Sequence, residues 1–510
     1  MPNVLIREVD STQAGAYTGE NNVVVIPGML GTGATKQAAA GEFVLVSTTA
    51  EFERKFGTKP STVTDANSEE DKSWIMAWEL LNLGMQVLYC VPKKGGNAVT
   101  TKADMQEVLG TKEFWEPLTD RGLYDFRFLT SGGYCADTLV TPEQKITKDG
   151  KEYLRSSEND TVAKSEGVQL AFYAWKHTPA QGNAEYLYTL TTKLSESVYT
   201  YTIAKEQVEN GTKLTVTKGT VLQEGEFEDT DNGTASEIAN QMLNVANVII
   251  SGETQKGRGD IVVIIDRQSD IATAQEVSDD YQVIGKLSGA EYGTAFTPWV
   301  KINLLCPRGR DTKDSLLTGS LLLPPSYGYL AAYADAIQYA SVVNAMAGSV
   351  RGEIPNLADV EVKYGEADNN ILTKRTESFV SVNPIRYVRP FGTIVFGNRT
   401  LKPNPKGLVA TSFLNVRNMI CSIKKVLYEA AREFTFEQNT NLLWTNFKAA
   451  VTPLLDRFVT SNGLESYSLR REEVTEKAKL KAIINIRPIE AVEDFDLTVN
   501  ITDEVEVVEE

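Results

Sequence analysis

The chain has 510 residues, of which 42% are hydrophobic and 23% charged, and its formal net charge is −17. This length is too great for one hydrophobic core, so the composition predicts an ordinary soluble globular protein with three or four domains. The negative charge argues against duplex DNA as a partner, because phosphate binding needs clustered positive surface. No apolar run approaches the roughly 18 residues of a membrane-spanning helix, and no signal-peptide pattern opens the chain, so no membrane insertion is predicted.

Residues 1–20 predict an extended N-terminal arm. Val4 to Val9 is a short strand-like run, and the polar residues after it are too few to form a core. Fully extended, 20 residues reach roughly 60 Å, which is enough to cross a neighbouring domain. Compact structure is expected to begin at Val23.

Residues 21–135 predict the first part of an α/β domain, because strand and helix patterns alternate along them. The predicted elements are the strands Val23–Ile26, Phe43–Val46 and Val87–Val91, and helices that begin near Thr49 and Trp74. Thr48 and Glu51 have the spacing of a capping box for the first of these helices, which is expected to end at Gly57.

Residues 136–235 predict an inserted β-rich domain. The alternation of strands and helices breaks after Gly133, and the following segment is rich in Thr, Tyr, Val and Gly, with strand-like runs at Ala184–Leu190 and Val198–Ile203. The α/β pattern resumes over residues 236–370, with a helix from about Ser236 and a buried strand at Ile261–Ile265.

Residues 371–488 predict a separate basic C-terminal domain. From Ile371 to Ile489 there are 19 Lys and Arg against 9 Asp and Glu, a local charge of +10 that leaves −27 for the rest of the chain. A basic module in an acidic protein suggests a site for an acidic surface. A chance excess of cations on a solvated face is the alternative.

Two amphipathic helices are predicted in this domain. The first has an apolar stripe from Phe413 to Leu427. Four basic residues lie off that stripe and predict a basic flank: Arg417, Lys424, Lys425 and Arg432. Helix solubility and a favourable interaction with the helix dipole are the alternative explanation of this flank. Pro453 interrupts the second apolar pattern, which predicts either a kink or a restart capped by Thr452.

The last residues predict two strands of different character. The first alternates apolar residues with basic ones between Lys477 and Arg487. The segment 489–510 then has an apolar face (Phe495, Leu497, Val499, Ile501, Val505, Val507) and a polar, largely acidic one (Asp494, Asp496, Thr498, Asn500, Glu504, Glu506). A disordered acidic tail would not keep a period of two, so this arm is expected to add to a sheet, and the sheet need not belong to its own domain.

Motifs for catalysis, cofactors or metals are weak. The glycine-rich stretch Gly28–Lys36 fails as a phosphate loop, because Ala34 stands where a lysine must follow the last glycine. The only histidine, His177, leaves no usable catalytic triad or histidine-rich metal site. Arg258-Gly259-Asp260 precedes a buried strand and is best explained as a tight turn. The cysteines have no zinc or redox spacing and indicate reduced thiols: Cys90, Cys135, Cys306 and Cys421.

One ordered series of motifs resembles a known family. From Asn383 to Leu464 the series is Asn383-Pro384-Ile385-Arg386, Phe396-Gly397-Asn398-Arg399-Thr400-Leu401, an amphipathic helix, Phe434-Thr435-Phe436-Glu437, Leu442-Leu443-Trp444, a second helical stretch and Asn462-Gly463-Leu464. It resembles the C-terminal domain of contractile phage (myovirus) tail sheath proteins. Weaker likenesses at Val4–Val9, Phe52–Gly57, Leu123–Leu129, Arg258–Asp260 with its strand, Pro298–Ile302 and Pro324–Tyr329 extend it over most of the chain outside the β-insertion. Phe396 stands where relatives often have tryptophan.

The resemblance implies a mechanical polymer subunit with a subtilisin-like α/β domain that has no protease function. Such subunits assemble as stacked hexameric rings in a helix around a tail tube, between baseplate and tail terminator proteins, in a virion assembled in the host cytoplasm. Their arms add strands to the C-terminal domains of neighbouring subunits; here the matching arm residues are Val4 and Ile6, and Phe495, Leu497, Val499 and Ile501. Contraction would drive the tube through the host envelope, and no cofactor, metal or direct nucleic-acid contact is expected.

The same resemblance places the C-terminal domain against the tube. The basic flank of Arg417, Lys424, Lys425 and Arg432 is then predicted to hold an acidic tube surface through exposed ion pairs. Three alternatives remain open. They are the sheath of a phage-derived bacteriocin or injection system, a cytoplasmic α/β enzyme with a β-insertion, and a static capsid or tube protein.

Overall fold

A computed structural model describes the protein over residues 22–31, 40–58, 72–135, 140–141, 145–148, 151–155, 174–177, 185–192, 195–208, 211–223, 234–251, 254–269, 272–303, 321–373, 379–403, 409–472 and 480–491. Thr138–Ser236 forms one compact unit, and Met1–Asp137 with Glu237–Glu510 forms the other. Within the described ranges, none of the helices has the length and apolar character needed to cross a membrane.

The smaller unit is built from antiparallel strands. Its strands are β7 (Val140–Thr141), β8 (Lys145–Lys148), β9 (Lys151–Arg155), β10 (Ala174–His177), β11 (Glu185–Thr192), β12 (Ser195–Val208), β13 (Gly211–Gln223) and β14 (Thr234–Ala235). Strands β8 to β13 pair in chain order in one sheet, and β7 pairs with β14. The strands predicted at Ala184–Leu190 and Val198–Ile203 are confirmed.

The larger unit begins with alternating strands and helices. These are β1 (Val23–Pro27), β2 (Val44–Val46), α1 (Thr49–Phe56), α2 (Lys72–Asn82), β3 (Gln86–Cys90), β4 (Lys93–Lys94), β5 (Asn97–Ala98), α3 (Lys102–Leu109), α4 (Lys112–Trp115) and β6 (Phe128–Thr130), with a 3-10 helix at Glu116–Thr119. The predicted cap is confirmed, because Thr48 Oγ1 accepts from the amide of Glu51, and α1 ends before Gly57, whose φ is 89°. The Glu51 carboxylate accepts from the amide of Ser47 instead of that of Thr48.

The same unit resumes after the insertion. Its next elements are α5 (Glu237–Ala246), β15 (Ile249–Ser251), β16 (Thr254–Lys256), β17 (Val262–Ile264), α6 (Ala274–Ile284), β18 (Gly293–Thr294), β19 (Phe296–Thr297), β20 (Val300–Ile302), β21 (Leu321–Leu323), α7 (Pro325–Ala336), α8 (Gly348–Arg351), β22 (Leu357–Val360) and α9 (Glu366–Leu372). A 3-10 helix at Ala290–Tyr292 precedes β18.

A six-stranded sheet lies at the centre of this unit. Its order is β18-β17-β6-β1-β3-β2, and every neighbouring pair is parallel except β2 with β3 at one edge. Parallel strands that are covered on both faces have continuous apolar runs in their sequence. The strands at Val23–Ile26 and Ile261–Ile265 could be predicted for this reason. All nine of those residues are buried.

The chain ends in a mixed C-terminal region. It contains β23 (Asn383–Val388), β24 (Gly392–Val395), a 3-10 helix at Ala410–Ser412, α10 (Leu414–Glu433), α11 (Asn441–Thr460), β25 (Leu464–Glu472) and β26 (Lys481–Pro488). Strand β23 pairs with β19, which follows directly from the edge strand β18 of the central sheet. Helices α10 and α11 and the hairpin β25–β26 share one apolar core, centred on Val416, Ile423, Val451, Leu455 and Phe458.

Helix α11 runs unbroken through Pro453, so of the two predicted alternatives the restart at Thr452 is wrong and a kink stays a prediction. Thr440 caps the helix instead, by accepting from the amide of Leu443 at 3.2 Å. A proline inside a helix removes one backbone hydrogen bond, and tertiary packing has to offset the loss. Val451 and Leu455, on either side of the proline, are buried in the shared core and hold both halves in place.

Candidate functional site

The motif that begins at Asn383 is a buried hydrogen-bond hub. The Asn383 side-chain amide donates to Thr294 Oγ1 at 3.0 Å, to the Ala295 carbonyl at 3.0 Å and to the Arg399 carbonyl at 2.8 Å. Its oxygen accepts from the Arg399 amide at 2.7 Å. One asparagine therefore ties strand β18 of the central sheet to β23 and to the loop that contains Arg399.

The next motif extends this hub to helix α10. Asn398 donates to Asn415 Oδ1 at 2.8 Å, and its own oxygen accepts from the Asn415 amide at 3.1 Å. Asn415 in turn donates to the Val343 carbonyl at 3.0 Å. A Cβ at Gly397 would come within 2.6 Å of Asn383 Oδ1, so glycine is required for this close approach.

Helix α10 carries a buried polar stripe that continues the contact with the central sheet. Its members recur at helical spacing and are Asn415, Asn418, Ser422 and Lys425. Asn418 donates to Tyr329 Oη at 3.2 Å, and Arg127 donates to Ser422 Oγ at 2.9 Å. The apolar stripe of Val416, Met419 and Ile423 points instead into the core shared with α11. Both stripes of α10 are thus occupied within the chain.

Lys425 lies inside the chain rather than on a basic surface. Its ammonium group donates to Asp125 Oδ1 and to the Phe126 carbonyl, both at 2.5 Å, and only 7% of the residue is exposed. Burial lowers the pKa of Lys425 to about 8, against the opposing effect of Asp125. These two hydrogen bonds attach α10 to the segment before β6, so the Lys425 side chain is not available to a partner.

Arg417 is also buried, with its guanidinium 4.6 Å from the centre of the Tyr292 ring. Lys424 is partly buried and donates to Tyr292 Oη at 3.2 Å. Arg432, near the end of α10, remains exposed and pairs with Glu429 at 3.3 Å. The expectation that all four basic residues form an exposed flank is therefore corrected. Arg417 packs on Tyr292 and Lys425 bonds to Asp125, and the tube contact stays a prediction for Lys424 and Arg432.

Two further charged groups, Arg258 and Asp260 of the predicted tight turn, lie near Lys425. Arg258 donates from Nε to Asp260 Oδ1 at 3.0 Å, and both residues are buried. Gly259 between them has a φ of 71°, which confirms the tight turn. Burial alone would raise the pKa of Asp260, but the charges of Arg258, Lys425 and Arg121 outweigh it and hold the pKa below its usual value. The Arg-Gly-Asp sequence is thus a structural turn.

A polar group lies at the carboxyl edge of the central sheet, where parallel α/β folds often place ligands. Asp266, two residues after the end of β17, accepts from the amide and the hydroxyl of Ser326 at 2.9 and 2.6 Å, and burial raises its pKa to about 6. A nearby pocket lined by Lys72, Tyr134 and Trp299 holds only about 50 Å³. Enzyme pockets are several hundred Å³, so this crevice is small for a substrate.

Metal ligands are not clustered in the described part of the chain, where no group of three or more His, Cys, Asp and Glu could hold an ion. Cys90, Cys135 and Cys421 are buried free thiols there, and burial raises the pKa of Cys90 and Cys421. These cysteines are packed as small apolar side chains.

The hairpin β25–β26 presents an open sheet. It pairs from Leu464 with Pro488 to Glu472 with Lys481, and no other described strand pairs with either edge. One face, with Tyr467, Leu469, Ile484 and Ile486, packs against the core shared with the helices. The opposite face is exposed at Ser466, Ser468, Arg470, Lys481, Asn485 and Arg487. Such a sheet has one apolar side and two rows of backbone groups that can pair with a further strand.

Apolar side chains are exposed beside the far end of this hairpin. Phe436 is fully exposed at a φ of 74°, and Leu442 is 67% exposed. Arg471, at the end of β25, donates to Asn439 and Asn441 at 2.9 and 3.2 Å, which holds that loop against the hairpin.

The predicted arm residues lie outside the described residues. These are Val4 and Ile6 in the first arm and Phe495, Leu497, Val499 and Ile501 in the second. Their role in strand addition therefore stays a prediction, and the structure contributes the sheet that could receive them.

Comparison with solved structures identifies the fold. The chain matches a chain in the contracted sheath complex of PVC, an extracellular contractile injection system, at 13% identity and a TM-score of 0.51, over 99% of this chain and 98% of that one. It matches a chain in the baseplate structure of the anti-feeding prophage AFP at 14% identity and a TM-score of 0.54, over 98% of this chain and 99% of that one. It also matches a chain in the contracted AFP helical sheath at 13% identity and a TM-score of 0.51, over 98% of each chain. A search of protein-family models found no match, and neither did one of curated proteins.

At this level of identity the comparison establishes the fold alone. The chain is a mixed α/β protein with the fold of the chains in these contractile-sheath structures, and the likeness covers nearly the full length of both partners. The resemblance to contractile sheaths read from the sequence is supported to that extent.

Proposed function

We propose that this chain is the structural subunit of a contractile sheath and polymerises helically around an inner tube. The observation that carries the proposal is the open hairpin β25–β26, whose two edges pair with no other described strand while one face of its sheet packs on α10 and α11. A similar fold in the PVC and AFP sheath structures supports it. A contact between different surfaces of identical subunits that does not close into a ring generates an open helix.

In this proposal the two arms of each subunit enter sheets of its neighbours. Added strands are held by backbone hydrogen bonds, which tolerate changes in the orientation of the domains that the arms connect. Rigid bodies can then rotate during contraction while the linked lattice stays connected. Helix α10, anchored by hydrogen bonds and ion pairs at both ends of its polar stripe, would make the central domain and the C-terminal region one such body.

The domains are assigned roles on the same basis. Residues 21–135 and 236–370 would form the subtilisin-like α/β domain without protease function, residues 371–488 the sheath domain nearest the tube, and 1–20 and 489–510 the arms. Residues 136–235 would be an inserted β-rich domain. Lys424 and Arg432 are the remaining candidates for contact with an acidic tube surface, through pairs worth roughly 0–1 kcal/mol each.

The machine is either a phage tail or a phage-derived injection system. The tail reading follows from the sequence motifs and would place the chain in a virion, with baseplate and terminator proteins as neighbours. The similarity to PVC and AFP chains favours the injection system equally. Both readings assign the chain the same mechanics and no enzymatic role. A cytoplasmic enzyme is the second class, and the Asp266–Ser326 pair beside a pocket of about 50 Å³ is its best support.

Electron microscopy of the purified chain across a concentration series tests the proposal. Hollow cylinders with a regular axial repeat, formed by the chain alone or around added candidate tube protein, are expected. Uniform small particles at every concentration, with and without tube protein, would contradict the sheath proposal and favour the alternative of a cytoplasmic enzyme.

A further inference from the structure

Arg417 is a buried cation whose hydrogen-bond donors have no acceptor. Its guanidinium lies 4.6 Å from the centre of the Tyr292 ring, and only 4% of the residue is exposed. Its Nε is shielded from solvent, and no atom of the guanidinium makes a hydrogen bond or an ion pair with a described residue. Arginine keeps its charge when it is buried, so an unpaired guanidinium inside a protein calls for a bound water or ion.

The contact with Tyr292 does not replace these acceptors. A cation–π contact uses the flat face of the guanidinium, whereas the N–H groups point outward in its plane. Two acids of the neighbouring segments are bonded to other cations. Asp260 accepts from Arg258 at 3.0 Å, and Glu291 lies 4.0 Å from Lys402. Neither carboxylate therefore neutralises the guanidinium.

Two further donors lie beside Arg417. Lys424, seven residues further along α10 and on the same face of the helix, donates to Tyr292 Oη at 3.2 Å. It is partly exposed, and within the described ranges it has no ion pair. Because Tyr292 Oη accepts in that bond, its own hydrogen stays available, and it donates to no group in the part of the chain that the structure describes. Two cations and a hydroxyl thus meet at one ring without a carboxylate.

The shape of this place favours a small ligand with oxygen acceptors. Arg417 and Tyr292 are each about 95% buried, so the surface of a partner protein would contact only Lys424. A small anion can approach from the exposed side of Lys424 and accept from the edge of the guanidinium. The parallel N–H groups of arginine match two oxygens of a phosphate or a carboxylate. The positive charge of the site excludes metal cations.

We infer that Arg417, Lys424 and Tyr292 bind one small oxyanion between α10 and the 3-10 helix at Ala290–Tyr292. The anion neutralises the buried guanidinium and accepts the hydrogen bonds that the chain leaves unmade. Its binding stabilises the packing of α10 against the segment that contains Tyr292. The inference concerns a single subunit and does not depend on the sheath proposal.

Thermal unfolding of the full-length chain, kept below its polymerisation concentration, tests the site with inorganic phosphate against chloride at equal ionic strength. A ligand that binds only the folded state raises the unfolding midpoint progressively with its concentration. Arg417→Met should shift this dependence to at least about tenfold higher phosphate concentration, and Lys424→Met should shift it in the same direction by less. Arg457→Met and Lys448→Met make the same changes at exposed residues of α11 and should keep the response of the unaltered chain.

Phosphate also stabilises folded proteins in general, because it is excluded from their surface. The decisive quantity is therefore the difference between the unaltered chain and its variants. The line width of phosphate in phosphorus NMR, which increases when the ion binds a protein, measures binding without unfolding. Equal midpoint responses of the unaltered chain and Arg417→Met, or equal line widths, would overturn the inference. If Arg417→Met does not fold, the same comparison with Lys424→Met decides.

Discussion

The two sides of the C-terminal region differ in where their hydrogen-bond partners lie. On the side of α10 that faces the central sheet, Asn415, Asn418, Ser422 and Lys425 all have partners within the chain. On the other side, the hairpin β25–β26 leaves both edges unpaired among the described strands. The first side fixes the fold of one subunit, and the second has bonding capacity left for another chain. The predictions below test this division.

The largest effect is expected from removal of the C-terminal arm. Deletion of Asp494 to Glu510 should abolish polymerisation, because the open edges then lose the strand proposed to pair with them. The fold of the monomer should persist, since the chain is paired with its own β25 only as far as Ile489. Sedimentation and electron microscopy measure assembly, and circular dichroism measures folding. Normal cylinders from the truncated chain would show that the arm is not the donated strand.

The variant Asn383→Ala tests the side of the C-terminal region that is bonded within the chain. The substitution removes the donor of three hydrogen bonds and leaves the buried Arg399 amide without its acceptor. We expect the free energy of unfolding to fall by about 3 kcal/mol, as measured by urea denaturation. Asn485→Ala is the control, because Asn485 is exposed and makes one side-chain bond, to Ser468 at 3.2 Å. Equal losses in the two variants would mean that the hub does not hold the domains together.

Much of the fold was accessible from local patterns in the sequence. The strands Val23–Pro27 and Val262–Ile264 follow from short apolar runs, and α1 follows from Thr48, Glu51 and Gly57. These features depend on residues close together in the chain, or on burial that leaves a plain compositional signal. The predicted restart at Thr452 was wrong because the burial of Val451 and Leu455 outweighs the low helix propensity of Pro453. This burial is a tertiary effect.

The site was harder to predict because the polar stripe of α10 resembles a solvated face. Periodicity separates polar from apolar residues, but it does not show whether a polar side chain faces solvent or a partner inside the protein. The signal that was present is the type of residue: Asn415, Asn418 and Ser422 are short and uncharged, whereas solvated helix faces favour long charged side chains. Their partners, Val343, Tyr329 and Arg127, lie far away in sequence, so no local pattern could identify them.

The variant Lys425→Met tests the buried side of α10 through the pH dependence of stability. Because burial lowers the pKa of Lys425 from 10.5 to about 8, the unfolded chain binds more protons between these values, and this group stabilises the folded state increasingly as pH rises from 8 to 10. Between pH 8 and 10 the free energy of unfolding of the unaltered chain should rise by about 2 kcal/mol relative to that of the variant, as measured by urea unfolding. Lys448→Met, at an exposed lysine, should follow the unaltered chain throughout. A parallel pH profile for Lys425→Met would mean that the ammonium group is solvated.

The smallest effect per contact is expected at Arg432, the basic residue of α10 that remains exposed. Arg432→Glu should leave the free energy of unfolding nearly unchanged, since its pair with Glu429 is a surface pair worth under about 1 kcal/mol. Assembly around added tube protein should nevertheless decrease, and more so at low salt, because the same weak contact recurs in every subunit of the polymer. Lys448→Glu has the same change of charge on α11 and is the matched control. If both variants assemble on the tube equally well, the tube-facing role of α10 is wrong, and the basic charge of this helix serves only the buried anchor at Lys425.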